Sequence, residues 1–455
     1  MKPAFVVGGA RVFAGDCREV LKHLPDNSVD SVVTDPPYEL GFMGKSWDSS
    51  GIAYDHAVWL ECLRVLKPGG HILAFGGSRT WHRLAVAVED AGFELRDSIA
   101  WIYGSGFPKS LDVSKAIDKA AGVKREVVGE RTGVVKGTGG RYNWHTDENS
   151  TGTTIVKDTI PATSEAKTWE GWGTALKPAF EPVVVGRKPF GKGVTVAENV
   201  LAWGVGGLNI DGSRIGALGG GTHCDKRDES GKCLGHENAG RSTSGATVHG
   251  TNGQAQGRWP ANVILDEVTA GLLDEQSGVS VSKRAQRGEG KDETGIYGSW
   301  DTPEDTTRGH NDTGGASRFF YVAKASKRDR NEGLEELEGA SAGAKGNGLA
   351  RVCETCGASI LKPCDCPERS FVNPAVKNFH PTVKPTALMR YLIKLVTPPG
   401  GTVLDPFTGS GSTGKAALLD GFQFVGVELT EEYLPIIEGR LRWANEQEET
   451  DGKLF

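Results

Sequence analysis

The sequence predicts an α/β protein with a Rossmann-like sheet, helices on both faces, assembled from N- and C-terminal segments around a large irregular insert. Three observations carry this expectation. Residues 1–103 alternate short β-branched runs with helical spacing, the same rhythm resumes from Asn378, and the stretch between them is dense in Gly, Thr and Ser. The 455 residues leave room for two or three domains. The expected division is 1–110, 111–370, 371–446 and a charged tail at 447–455.

In the first block, Arg11–Ala14 and Asp30–Thr34 read as strands. His56–Leu66 reads as a helix stopped at Lys67-Pro68-Gly69-Gly70. His71–Phe75 is a strand ended by Gly76-Gly77, and Trp81–Ala91 a helix stopped at Gly92. In the last block, Thr386–Val396 is an amphipathic helix ended by Pro398-Pro399-Gly400-Gly401. Strand Thr402–Leu404, a glycine-rich turn, helix Thr413–Leu419, strand Phe422–Val427 and helix Glu431–Asn445 follow. Strand and helix signals between residues 111 and 370 are weak.

No run approaches the roughly 18 apolar residues that span a membrane. The start, Met1-Lys2-Pro3-Ala4-Phe5-Val6, lacks the pattern of a signal peptide, so a cytoplasmic protein is expected. The formal net charge of −6 does not advertise nucleic acid, although residues 104–200 carry 14 Lys/Arg against 11 Asp/Glu. Any phosphate-binding face is therefore local. Eight cysteines are too few for a disulfide scaffold. Four of them, Cys353, Cys356, Cys364 and Cys366, have spacing that suits a structural tetrahedral zinc, with free thiols as the alternative.

Asp405-Pro406-Phe407-Thr408-Gly409-Ser410-Gly411-Ser412-Thr413-Gly414 lies between a predicted strand and a predicted helix. Glycines at such a junction let the backbone turn tightly and approach a ligand, with the helix N-terminus facing it. A nicotinamide-binding fingerprint needs a further glycine, and no Gly-Lys-Ser/Thr ends the turn as in a P-loop. Glu428 ends the next strand, 23 residues after Asp405. There it is placed to accept from both ribose hydroxyls of an adenosine ligand, or else merely caps a helix.

Together with Phe424-Val425-Gly426-Val427-Glu428 and Tyr433, this run resembles the S-adenosylmethionine site of amino-methylating DNA methyltransferases of the permuted β class. His380-Pro381-Thr382-Val383-Lys384-Pro385 resembles the element that family places before this strand, with Val383 where Glu or Gln is usual. The resemblance implies a cofactor site made by His380, Thr382, Lys384, Asp405, Pro406, Phe407, Gly409, Gly411, Thr413 and Glu428. It also implies that the element at 380–385 helps hold the methionine end.

Asp35-Pro36-Pro37-Tyr38 follows strand Asp30–Thr34 and so lies at the carboxyl edge of the sheet. The two prolines make a rigid loop presenting a carboxylate, bare carbonyls and an aromatic ring. An amine on a heteroaromatic ring is a poor nucleophile, because its lone pair is delocalised. Hydrogen bonds from its N–H groups to Asp35 and the Pro36 carbonyl favour a pyramidal nitrogen, while Tyr38 stacks on a flipped base. No Pro-Cys pair is present, which excludes the cytosine-C5 reaction through a cysteine nucleophile.

The catalytic loop precedes the cofactor loop by about 370 residues, the order of the permuted DNA enzymes. Release-factor and ribosomal methyltransferases have the opposite order. After Glu428 no strand remains to bind the adenine ring, so Arg11–Ala14 is expected to supply it. Asp16 then accepts from the adenine amine and the Cys17 N–H donates to the ring. An exposed turn is the plain alternative.

The resemblance thus implies transfer of a methyl group from S-adenosylmethionine to N6 of adenine in double-stranded DNA, with N4 of cytosine the alternative and an RNA or protein substrate behind it. A homodimer stays open. Residues 101–110 either line the base pocket or pack in the core, and Gly41–Asp48 is either a lid or an inert loop. Target recognition falls by position within 111–370, where Lys136, Arg141 and Arg187 are candidate phosphate or base contacts. His223, Cys224, Cys233 and His236 form a second, irregular metal set.

Overall fold

The computed structural model describes residues 1–41, 46–106, 110–135, 152–216, 257–282, 312–324, 327–337 and 375–452. It adds short pieces at 285–286, 307–308, 340–341, 352–353, 366 and 371–372. The strands that matter for the site are β1 (Phe5–Val7), β2 (Ala10–Ala14), β3 (Val29–Thr34), β4 (Leu66–Phe75) and β5 (Glu94–Ile102). A detached hairpin, β6 (Glu126–Val135) and β7 (Gly152–Ile160), follows, and then β8 (Phe180–Arg187) and β9 (Val263–Asp266). The last three are β10 (Tyr321–Ala323), β11 (Thr402–Asp405) and β12 (Gln423–Glu428).

Ten of these form one sheet in the order β1-β2-β12-β11-β3-β4-β8-β5-β9-β10. Within it β1 and β8 run against their neighbours, and all other pairs are parallel. Every residue of β3 is buried, as expected for a strand covered on both faces. One covering layer contains α1 (Cys17–Val20), α2 (His56–Val65) and α3 (Trp81–Asp90), whose Val58, Trp59, Cys62, Leu84 and Val88 pack with Val32 and Ile72.

The chain then passes through α4 (Val113–Ala120), α5 (Ser164–Thr168), α6 (Val196–Trp203), α7 (Glu267–Ser277) and α8 (Lys327–Asn331). The opposite layer is built by α9 (Thr386–Val396), α10 (Ser412–Leu419) and α11 (Leu434–Gly452), which bury Leu388, Leu392, Ala416, Ile437 and Leu441 against Val33 and Val403. Among the described residues no helix is long and apolar enough to cross a membrane.

The predicted α/β sheet with helices on both faces is the fold observed. Strand Ala10–Ala14 lies parallel to β12, with Ala14 opposite Glu428, and β3 lies beside β11, with Ser31 opposite Val403. First and last segments are thereby joined in one sheet.

Two local readings change. Lys67–Gly70 does not separate helix from strand, because β4 begins directly at Leu66 and absorbs the Pro-Gly-Gly as an irregularity in its pairing with β3. And β8, β9 and β10 come from within 111–370, the stretch read as an irregular insert.

Candidate active site

The carboxyl ends of β3, β4, β11 and β12, and the amino end of antiparallel β8, meet along one edge of the sheet. The turn after β11 is organised by Asp405. Its buried carboxylate accepts from Thr34 Oγ1 at 2.6 Å, Thr413 Oγ1 at 2.6 Å and the Phe407 N–H at 3.0 Å. Burial pushes this carboxyl up to about 6, against the pull of those hydrogen bonds. Thr34 is the residue before Asp35, so one hydrogen bond ties the two motif loops together across 371 positions of sequence.

Gly409 and Gly411 have φ of +55° and +76°, values that side chains rarely adopt. A Cβ on Gly409 would stand 3.1 Å from His380 Nε2. The Gly409 N–H donates to Glu428 Oε2 at 2.8 Å and the Thr430 N–H to Oε1 at 2.8 Å. Burial raises the Glu428 carboxyl to about 7, although both N–H groups favour its charged form. The ring of Phe407 lies 6.2 Å from that of buried Trp59. Beside this turn, the His380 ring sits edge-on to Tyr433 at 4.5 Å and is held neutral, its pKa lowered to about 4 by burial. Nδ1 of His380 contacts the Thr382 carbonyl, while Thr382 itself is exposed.

Beneath the turn lies a buried charge network. Lys415 is fully buried and donates to Asp329 Oδ1 at 2.7 Å and Glu332 Oε2 at 2.8 Å. Arg440, also fully buried, donates to the Ser410 carbonyl at 2.7 Å and Ser412 Oγ at 3.0 Å. Asp329 of α8 further accepts from the Thr386 N–H at 2.8 Å, so it pins the start of α9. Removing Asp329 leaves Lys415 with Glu332 alone and removes the carboxylate nearest Arg440. Asp329→Ala is expected to cost about 3–5 kcal/mol of stability, read as a shifted midpoint in urea unfolding; an unchanged midpoint would show that the network is dispensable.

In the Asp35-Pro36-Pro37-Tyr38 loop, Asp35 Oδ2 accepts from Lys384 Nζ at 2.7 Å. Its other oxygen, Oδ1, is buried with no hydrogen-bond partner among the described residues. The Tyr38 hydroxyl accepts from Lys384 Nζ at 3.0 Å and donates to Glu181 Oε2 at 2.9 Å, and Thr80 Oγ1 donates to the Tyr38 carbonyl at 2.9 Å. Burial lowers the Lys384 pKa, but Asp35 and Glu181 outweigh it and the net shift is upward. Desolvation, with the two carboxylates, puts the Tyr38 phenol well above its usual range. The resemblance sets Lys384 beside the cofactor; in the structure its ammonium bonds to Asp35 and Tyr38.

At the end of β2, the Asp16 carboxylate caps α1 through the Arg18 N–H at 2.9 Å and pairs with Arg18 Nη2 at 2.6 Å. Those bonds, the side-chain one foremost, lower its pKa. Cys17 is buried and its thiol is pushed up to about 12 by desolvation. Both stand next to the Glu428 strand end, where Gly15 N–H donates to the Glu428 carbonyl at 2.9 Å.

Arg187 is not at this edge. It pairs with Glu94 at 2.6 Å and lies over Phe190 at the other end of β8, across from His71. Lys136 and Arg141, the 42–45 and 107–109 portions of the two loops, and the set His223, Cys224, Cys233 and His236 lie outside the described residues. So do Cys356 and Cys364; Cys353 pairs through its main chain with Phe371. Among the described residues no group of three or more His, Cys, Asp or Glu could hold a metal.

Sequence reading missed Glu181, Asp329 and Arg440. The run Val183-Val184-Val185 was a usable strand signal that would have put Glu181 at a strand end. Nothing local marks the other two.

A family model described as DNA methylase, of the N6/N4 type, matches residues 29–120 and 280–439, more than half of the chain. The chain belongs to the N6/N4 DNA methylase family. It is 47% identical over 55 residues to the DNA adenine methyltransferase YhdJ of Escherichia coli K12, which covers 12% of this chain and 19% of that protein. It is 33% identical over 114 residues to the Type II methyltransferase M.HpaI of Haemophilus parainfluenzae, covering 24% of this chain and 36% of that one. The chain therefore spans about a fifth and about a third of these curated relatives.

Among solved structures, the PvuII DNA methyltransferase, cytosine-N4-specific, aligns over 100% of this chain and 93% of its own at 13% identity and a TM-score of 0.40. The M1.HpyAVI–SAM complex aligns over 95% and 98% at 14% identity and 0.35. Membership in the family rests on the matched sequence and not on these superpositions.

Proposed function

We propose that this N6/N4 methylase transfers a methyl group from S-adenosylmethionine to an exocyclic amine of a flipped base in double-stranded DNA, N6 of adenine before N4 of cytosine. The observation that carries the reading is Asp35 Oδ1, a buried carboxylate oxygen without a hydrogen-bond donor among the described residues, one residue from the Thr34 that bonds to the cofactor turn. An unsatisfied buried acceptor costs about 1–3 kcal/mol or more, a cost that a donor N–H from a substrate removes.

The residues fit an adenosyl sulfonium. The glycine turn has no side chain at 409 or 411, and the buried Glu428 carboxylate keeps acceptor capacity for ribose hydroxyls. His380, Thr382, Asp405, Pro406, Phe407, Gly409, Gly411, Thr413 and Glu428 would hold it, with Asp16 and Cys17 at the adenine end. When bound, S-adenosylmethionine supplies an electrophilic methyl group on sulfur.

Asp35 Oδ1 and the Pro36 carbonyl accept the two N–H groups of the target amine, which localises its lone pair and steadies the positive charge it acquires. Tyr38 offers its ring to the base while Lys384 and Glu181 fix its hydroxyl. Asp in the first position of the loop favours adenine. The parts of 111–370 outside β8, β9 and β10 are assigned to target recognition, and the protein to the cytoplasm, where its DNA lies.

The test is incubation of the purified chain with tritiated S-adenosylmethionine and duplex DNA, followed by sequencing that detects modified bases in DNA from cells expressing it. Label in DNA with N6-methyladenine at a fixed motif supports the reading. N4-methylcytosine moves it to the alternative base, and label in RNA or protein alone overturns it. We also assign a structural zinc to Cys353, Cys356, Cys364 and Cys366. One zinc per chain by elemental analysis is expected, lost in the Cys353→Ser, Cys356→Ser double variant along with stability; a wild-type preparation free of zinc removes the assignment.

A further inference from the structure

We infer that Glu181 is a positioning residue for methyl transfer: through the Lys384 ammonium it fixes the Asp35 carboxylate so that Oδ1 alone is left for the target amine. The inference rests on the proposed function for its chemistry and on side-chain geometry for its substance.

Lys384 is 8% exposed and meets three oxygens from two elements, donating hydrogen bonds to two of them and pairing ionically with the third. These are Asp35 Oδ2 after β3 at 2.7 Å, the Tyr38 hydroxyl at 3.0 Å and Glu181 Oε2 on β8 at 3.3 Å. Two hydrogen bonds to the loop and an ion pair to β8 restrict the orientation of the ammonium. The rings of Phe75 and Tyr38 flank it at 4.9 and 5.2 Å, which further restricts it. Glu181 in turn receives the Tyr38 hydroxyl at 2.9 Å, so the same carboxylate also fixes the ring expected to meet the base.

Charge gives Glu181 a second task. Asp35 and Lys384 alone would be a neutral pair, and the cation would oppose the positive charge that the amine gains on methylation. With Glu181 the cluster holds two carboxylates against one ammonium. A salt bridge kept only for packing would not need that imbalance. The titratable groups facing the cluster are Asp35, Tyr38 and Glu181 themselves, with Tyr103 on the β5 side and His380 and Asp405 on the cofactor side.

The experiment compares the full-length wild type with Glu181→Gln and Glu181→Asp. Single-turnover transfer to duplex DNA at saturating S-adenosylmethionine is followed from pH 7 to 10. The Lys384 titration is followed by NMR of labelled lysine, assigned by its loss in Lys384→Arg. Loss of one of two counter-charges lowers a lysine pKa by about 1–3 pH units. Glu181→Gln is therefore expected to transfer at least about tenfold more slowly at pH 7.5, and its rate to fall above about pH 9 where the wild type stays level. Its Lys384 titration should move down in parallel, its cofactor affinity should stay within about twofold, and Glu181→Asp should recover part of the rate.

A Glu181→Gln rate and pH profile like the wild type's overturn the inference. So does a slower rate with an unshifted profile and an unmoved Lys384 titration, which is the mark of a packing role. If the wild type moves no label to DNA, the proposed function falls, and the Lys384 titration still decides whether Glu181 holds the ammonium.

Discussion

Asp35→Ala is expected to slow methyl transfer by about a thousandfold or more while S-adenosylmethionine binds within about threefold of its wild-type affinity. The carboxylate makes two separable contributions. Oδ2 anchors Lys384, and Oδ1 is the desolvated acceptor. With alanine at this position the ammonium still faces Glu181 at 3.3 Å and the Tyr38 hydroxyl, so no buried charge is stranded and the fold should hold. The glycine turn proposed to hold the cofactor is organised by Asp405, Thr34 and Thr413, none of which leans on the Asp35 side chain for a hydrogen bond. Single-turnover transfer of tritium to DNA and calorimetric titration with cofactor separate the two quantities. Transfer at the wild-type rate would remove Asp35 from the chemistry.

The second large effect concerns Glu428 and pH. Burial holds its carboxyl at about 7, above the 4.5 of an ordinary glutamate. In the cofactor-free protein the native state therefore keeps a proton that the unfolded chain has released. This group's contribution to stability is present below about 4.5 and is lost as pH rises through about 7, a change on the order of 3 kcal/mol. Where Glu428 accepts from both ribose hydroxyls as proposed, cofactor binding runs the other way, because that role belongs to the ionised carboxylate. Affinity for S-adenosylmethionine should rise by up to about tenfold per pH unit below about 7 and level off above it. Asp405, held at about 6 by burial, adds a gentler fall at lower pH. Glu428→Gln should weaken binding above pH 7.5 and remove most of the slope between 6 and 7.5. Calorimetry across that range is the check, and a wild-type affinity that is level with pH would deny Glu428 this part.

Both motif loops could be read from the sequence because their signals are local. A β-branched run ends at Thr34 and another at Leu404, and each is followed at once by the residues that give the loop its shape. The joining of Ala10–Ala14 to Glu428 was legible for another reason: a sheet edge without its last strand left one candidate. Strand β8 was harder to read, since only Val183-Val184-Val185 signals it, Pro182 lies inside it and Glu181 is its second residue, while the residues around it are those of turns. Lys384 shows the limit most clearly. Its motif fixed its neighbourhood, but its ion pair spans 349 positions and depends on how β3, β8 and α9 are stacked. The clamp by Asp329 spans fewer positions but was no easier to read, since a five-residue helix carries no periodicity to mark it.

The interleaving of the first and last strands bears on how the chain acquires its structure. Ala14 has its neighbour at Glu428 and Ser31 has its neighbour at Val403, so the centre of the sheet closes only across nearly the whole chain. On a ribosome, β3 and β4 emerge with one edge open and must wait for about 330 further residues before β11 can fill it. Pairings of such long range are slow to form and leave sticky strands uncovered in the interval. The nascent protein is thus a natural client for chaperones, and truncation before residue 402 leaves a fragment whose most buried strand has no partner on one side.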